Sequence, residues 1–166
     1  MAEKKEIEAL KTALLLEKQG KMFYQRVAKD TESRAVTSLF EIMAEEEAKH
    51  IDYLSKQFAH YSAVGVFMEQ EPEEAARSAV REILSKEIRQ QITAASYEAA
   101  AISAAIEMEN RAVQIYSDRA DASFDAKEKQ LYSWLAQWEK GHLKFLAEIN
   151  DELVEEIWYE SNFWPF

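Results

Sequence analysis

Two tetrapeptides in this chain repeat one spacing. Glu47-Ala48-Lys49-His50 and Glu139-Lys140-Gly141-His142 each place an imidazole three residues after a carboxylate. On a helix, three residues is one turn, so both side chains leave the same face and can reach one cation together. Two more glutamates, Glu17 and Glu109, lie within amphipathic stretches. All six interrupt stripes that are otherwise apolar. A core stripe is costly ground for an acid: an isolated buried carboxylate loses several kcal/mol or takes up a proton. Four acids converging there would also repel one another, and no lysine stands at these positions to balance them. Two divalent cations would balance four glutamates while both histidines stay neutral. Oxygen and nitrogen donors without sulfur suit iron or manganese, and Glu and His also bind zinc. With 0 Cys in the chain, disulfides, Fe–S clusters, zinc ribbons and thiol catalysis are excluded.

Holding six such groups together calls for helices. The first stripe runs Ile7, Leu10, Leu14, Glu17, Tyr24, Ala28 and the second Val36, Leu39, Met43, Glu47, His50, Leu54. The third runs Ile102, Ile106, Glu109, Val113, Tyr116, Ala120 and the fourth Leu131, Leu135, Glu139, His142, Leu146, Ile149. Steps of three, four and seven mark all four as helical. Ser33 and Ser96 suit N-caps, and Asp125 with Glu128 three residues on suits a capping box.

A shift of 92 residues, without a gap, superimposes the two halves of the chain. It takes Glu17 to Glu109, Tyr24 to Tyr116, Glu47 to Glu139 and His50 to His142. The chain thus reads as two copies of a helical hairpin, about 3–59 and 96–156, which pack as a four-helix bundle. The connection between them, about 60–95, contains Gly65 and Pro72 and then a helical stripe of Ala76, Val80, Ile83, Leu84 and Ile88. A short extra helix over 73–91 is expected there, and the whole of 1–166 is expected to form a single domain. The 166 residues hold only 3 Gly and 2 Pro with 48% hydrophobic residues, too few turn formers for an all-β fold and too much apolar matter for a disordered chain.

The net charge of −11 opposes binding to nucleic acid or to an anionic membrane, since both are polyanions. The longest apolar run near the start, Ala13 to Leu16, is too short for a signal peptide or a membrane span, so a cytoplasmic protein is expected.

Four Glu and two His, with two Glu-x-x-His pairs, match the donor set of carboxylate-bridged di-iron and di-manganese bundles. In these residues the chain resembles the ferritin-like di-iron family, and is most similar to its rubrerythrin/erythrin branch. Besides the two tetrapeptides, the likeness rests on Glu17 with Tyr24 seven residues later and Glu109 with Tyr116 seven later, and it covers about 6–150. The resemblance implies that Glu17 and Glu109 are terminal ligands, that Glu47 and Glu139 bridge, and that His50 and His142 complete the two irons. It departs in two places. The Cys-rich rubredoxin module of rubrerythrins is absent from these residues. The second Glu that the family's third helix carries one turn after the first is Ala112 here, so the redox-linked ligand switch tied to that Glu does not carry over. Glu107 lies off the stripe.

The resemblance implies a redox-active di-iron protein that reduces hydrogen peroxide or reacts with oxygen, with electrons from an external donor such as a rubredoxin-like protein. It also implies a homodimer. The alternative is a ferroxidase that binds or stores iron.

Other residues have plainer expectations. Tyr24 and Tyr116 either donate to carboxylates of a facing helix or sit in the core with their hydroxyls satisfied elsewhere; their own-helix glutamates are two turns away, about 10 Å. Glu45 and Glu46 are expected to be solvated and His60 to be a surface residue. Gly20 and Gly141 allow close helix packing or open space beside the metals. Met22, Met43, Met68 and Met108 are expected to fill core. The aromatic tail, 157–166, is expected to cover the bundle end or a second subunit.

Overall fold

The computed structural model describes residues 2–69, 86–88, 90–93 and 96–160, with side chains described over these ranges except 2–4 and 156–160. Four long helices follow in order: α1 (Ala2–Asp30), α2 (Arg34–Val64), α3 (Tyr97–Ala122) and α4 (Ala126–Glu160). They form an all-α, ferritin-like four-helix bundle with its long connection between α2 and α3.

The helix starts are made by the expected caps. Ser33 Oγ accepts the Val36 N–H at 3.3 Å, and Ser96 Oγ accepts the Ala99 N–H at 3.2 Å. Asp125 accepts the Lys127 and Glu128 N–H groups at 2.8 and 2.9 Å. Glu128 completes this end differently from a capping box: its buried carboxylate accepts from the Arg119 guanidinium, a charge-assisted bond that outweighs one to a backbone N–H.

Helix α2 ends at Val64, five residues past the expected 59. Tyr61 is still buried there, and Gly65 stops the helix by adopting φ 72°, its N–H bonding Tyr61 O at 2.8 Å. Gln57 then pins the returning chain, accepting the Met68 N–H at 3.1 Å while Phe67 packs on Tyr61.

Of the expected crossover helix, residues 86–88 and 90–91 are described and are helical, and the rest of 73–91 lies outside the described residues. Ile88 and Ile92 are buried in the core. Gln91 Oε1 accepts both the Ser33 hydroxyl at 2.8 Å and the Ala35 N–H at 3.2 Å, so the crossover ends against the start of α2. The α4 backbone stays helical to Glu160; the tail's side chains lie outside the described residues. Among the described residues, no helix is long and apolar enough to cross a membrane.

The helix backbones approach most closely within each hairpin, α1 on α2 and α3 on α4, and stand farther apart between hairpins, where α1 meets α3. The apolar core falls into two blocks. One, around Tyr24, Leu39, Phe40, Ile102 and Leu146, draws on the α1–α2 turn and the crossover. The other, around Leu10, Leu54, Tyr116, Leu131 and Leu135, fills the opposite end. A polar layer separates the two blocks.

Candidate metal centre

That layer gathers the six sequence-selected side chains: Glu17 from α1, Glu47 and His50 from α2, Glu109 from α3, and Glu139 and His142 from α4. Each is buried, with exposures of 1–3%. Their ligand atoms form two sets, each within 4.8 Å: Glu17, Glu47, His50 and Glu139, and Glu47, Glu109, Glu139 and His142. Glu47 and Glu139 belong to both.

The individual atoms explain the sharing. His50 Nδ1 lies 2.9 Å from Glu17 Oε2, 3.2 Å from Glu139 Oε1 and 3.4 Å from Glu47 Oε2. His142 Nδ1 lies 3.0 Å from Glu139 Oε2, 3.4 Å from Glu109 Oε1 and 3.6 Å from Glu47 Oε1. Each shared carboxylate therefore turns one oxygen toward each histidine. The two imidazole rings lie nearly parallel, 25° apart in plane, with centroids separated by 6.4 Å. One turn of α2 and one turn of α4 suffice to build this, because Glu-x-x-His places its pair on one face and the hairpins oppose those faces.

The electrostatics show how far the cluster falls short of positive charge on its own. Burial pushes the Glu47 carboxyl well above its usual range, and the neighbouring Glu139 and Glu17 charges push it further. Burial and the Glu139 charge raise Glu109 to about 8. For Glu139 burial also acts upward, but the charge of His142 and hydrogen bonds from His142 and His50 win and hold it well below the ordinary value. Burial alone would lower both histidines; their carboxylate neighbours overcome it and raise both well above the usual value. Glu47, Glu109 and both imidazoles thus hold protons more tightly than usual, the mark of a layer short of positive charge. A buried, oxygen-and-nitrogen donor set with surplus negative charge fits a pair of divalent ions.

The two tyrosines take the facing-helix option. Tyr24 on α1 donates to Glu109 on α3, and Tyr116 on α3 donates to Glu17 on α1. Burial and the nearby glutamates raise both phenols well above their usual value, so both remain donors. Spacing along a single helix could not reveal these bonds, since each crosses between hairpins.

Glu46 corrects an expectation. It is buried rather than solvated, 1% exposed, and its carboxylate meets His142 Nε2 at 2.5 Å, on the side of the ring away from the shared glutamates. Glu45 is exposed, as expected. A signal for Glu46 existed in the sequence: the 92-residue shift carries it onto Trp138, a large apolar side chain at the matching position. Trp138 and Trp134, not singled out beforehand, lie edge-on to His50 with ring centroids at 5.3 and 5.5 Å.

Smaller points bear on access and on the remaining expectations. A cavity of about 110 Å³ opens between α1 and α3 and is lined by Leu16, Gly20, Met108 and Ala112 together with Glu17, Glu47, Glu109 and Glu139. A Cβ on Gly20 would stand 3.7 Å from Glu47 Cδ, so the glycine lies directly beside a shared carboxylate. Gly141 is exposed and opens no space at the centre, and Met22, 69% exposed, is not core filler. His60 belongs to neither ligand set.

A family model described as Rubrerythrin matches residues 8–150. No curated protein and no solved structure matches the chain.

Proposed function

The chain belongs to the rubrerythrin family, and on that premise we propose that its buried centre holds two iron ions and reduces hydrogen peroxide to water. The observation that carries this reading is the paired orientation of Glu47 and Glu139, each with one oxygen toward His50 and one toward His142. Glu17 and His50 then complete one position, and Glu109 and His142 the other. When bound, a reduced iron pair supplies the two electrons that, with two protons, turn one peroxide into two waters.

The protein's own residues do the rest. The shared carboxylates fix the spacing of the two positions. Tyr24 and Tyr116 hold Glu109 and Glu17 in place through their hydroxyls, so the terminal carboxylates need no reorientation on binding. The two apolar blocks exclude bulk water from both ends of the layer, which strengthens every electrostatic interaction inside it. The cavity reaches the four glutamates and neither histidine, so a small oxidant arrives from the carboxylate side. Its volume of about 110 Å³ has room for a few water-sized molecules and suits peroxide better than a bulky organic substrate. The chain holds 0 Cys, so no thiolate-bound redox group in these residues can return the electrons, and an external donor, rubredoxin-like in kind, takes that role.

Stopped-flow mixing of the anaerobic, iron-loaded, reduced protein with peroxide and, separately, with oxygen tests the reading. Oxidation faster with peroxide is expected. Faster oxidation by oxygen would overturn the peroxidase assignment and leave the di-iron one standing.

A further inference from the structure

The two histidines see alike environments at Nδ1 and unlike environments at Nε2. His142 Nε2 meets the buried Glu46 carboxylate at 2.5 Å. His50 Nε2 is buried with no hydrogen-bond partner among the described residues. Where Glu46 stands in the first hairpin, the second has Trp138, and where Ile42 stands, the second has Trp134. Both indoles lie steeply inclined to His50, and the Trp138 Nε1–H is itself buried without an acceptor among the described residues. An indole N–H only donates, so it cannot accept the imidazole proton.

A histidine that binds a cation through Nδ1 must carry its proton on Nε2. At His142 that proton has a carboxylate waiting for it, which fixes the tautomer and the ring before any ion arrives. At His50 no acceptor among the described residues meets it, and two indoles lie against the ring. From this we infer that the two metal positions are unequal: the Glu109–His142 position fills first and holds its ion more tightly, and Glu46 is the positioning residue responsible. The inference rests on the two-ion reading above. It implies a defined single-ion state with the ion on the His142 side.

Anaerobic titration of the metal-free protein with Co²⁺, followed by calorimetry and by the ligand-field absorption of the bound ion, tests this without turnover. Two resolved steps are expected, separated by about 10–100-fold in dissociation constant, the usual effect of an outer partner on a metal-binding histidine. The variant H142A should lose the tighter step and H50A the weaker. Glu46→Gln, which keeps the side chain's size, should weaken the first step by about 10-fold or more, leave the second in place, and draw the two together. Trp138→Glu should tighten the second step in return. A merely structural role for Glu46 would instead weaken both steps equally. Two ions entering wild type with one affinity, or Glu46→Gln leaving the first step unchanged or weakening both alike, would overturn the inference. Failure of wild type to take up two ions would instead overturn the two-ion reading itself.

Discussion

In the α1–α2 hairpin the residue before the shared carboxylate is an acid, Glu46; in the α3–α4 hairpin it is an indole, Trp138. In front of the histidines the hairpins agree residue for residue: Glu17 and Glu109, Tyr24 and Tyr116, Glu47 and Glu139, His50 and His142. The difference shows which constraint acts where. Groups facing the cations must match in number and sign, because a missing or extra charge in a buried layer costs several kcal/mol. Groups behind the rings need only fill the space between helices, and there an acid and an indole both serve, with different consequences for the imidazole in front.

The hardest test of the agreement is to remove one shared carboxylate from each hairpin. Glu47→Ala and Glu139→Ala should each cost the second ion by elemental analysis and lower peroxide-dependent oxidation by more than the roughly 10–100-fold of an outer-partner change. Loss in one variant with full metal content in the other would break the equivalence.

Acidity separates two glutamates of the same hairpin. Folded Glu109 keeps its proton up to about 8, whereas the unfolded carboxyl releases it near 4.5. Between these values the folded state binds more protons, so raising the pH favours unfolding. The raised histidines and Glu47 act in the same direction. The contribution from Glu139, whose value is depressed, is already complete above about 4.5 and does not oppose the trend. Thermal melting of the metal-free protein should show stability falling from pH 5 toward 8 by a few kcal/mol. The metal-loaded protein should not follow that slope, because the ions displace the protons.

Tyr24→Phe and Tyr116→Phe each leave one buried carboxylate without its hydroxyl donor. Chemical denaturation should register a loss of about 1–3 kcal/mol in each. A loss in only one would mean that the two crossing bonds are not equivalent after all.

The mildest change concerns the cavity wall, where Gly20 and Ala112 are related by the same shift. Gly20→Ala adds a methyl at ordinary contact distance, 3.7 Å from Glu47 Cδ. It should raise stability by roughly 1 kcal/mol through helix propensity. It should also slow peroxide entry without changing metal content, as followed by rapid mixing.

Much of this was legible beforehand because one uninterrupted shift relates both halves. The six acids and imidazoles announce themselves as charged residues at matching points of four apolar stripes. The start of each hairpin's second helix is equally plain, since Ser33 and Asp125 fall at equivalent positions and both cap. What escaped depends on neighbours in space. The partners of Tyr24 and Tyr116 lie on the other hairpin, beyond the reach of spacing on one helix. Glu46 sits one residue before Glu47, about 100° around the helix, where an acid is usually solvated; the closing approach of α4 buries it. The extension of α2 to Val64 follows from Tyr61 packing and the left-handed Gly65, neither of which shows in the periodicity.

The seam between the hairpins, where the backbones stand farther apart, gives the centre a second mechanical meaning. It is crossed at mid-height by the two tyrosine bonds and by carboxylates from α2 and α4 that answer to histidines on both sides. Ions seated there would rivet one hairpin to the other. Chelation would then loosen the middle layer while the apolar blocks at either end still join the hairpins, and the stripped protein should be cut by proteases faster than the loaded one.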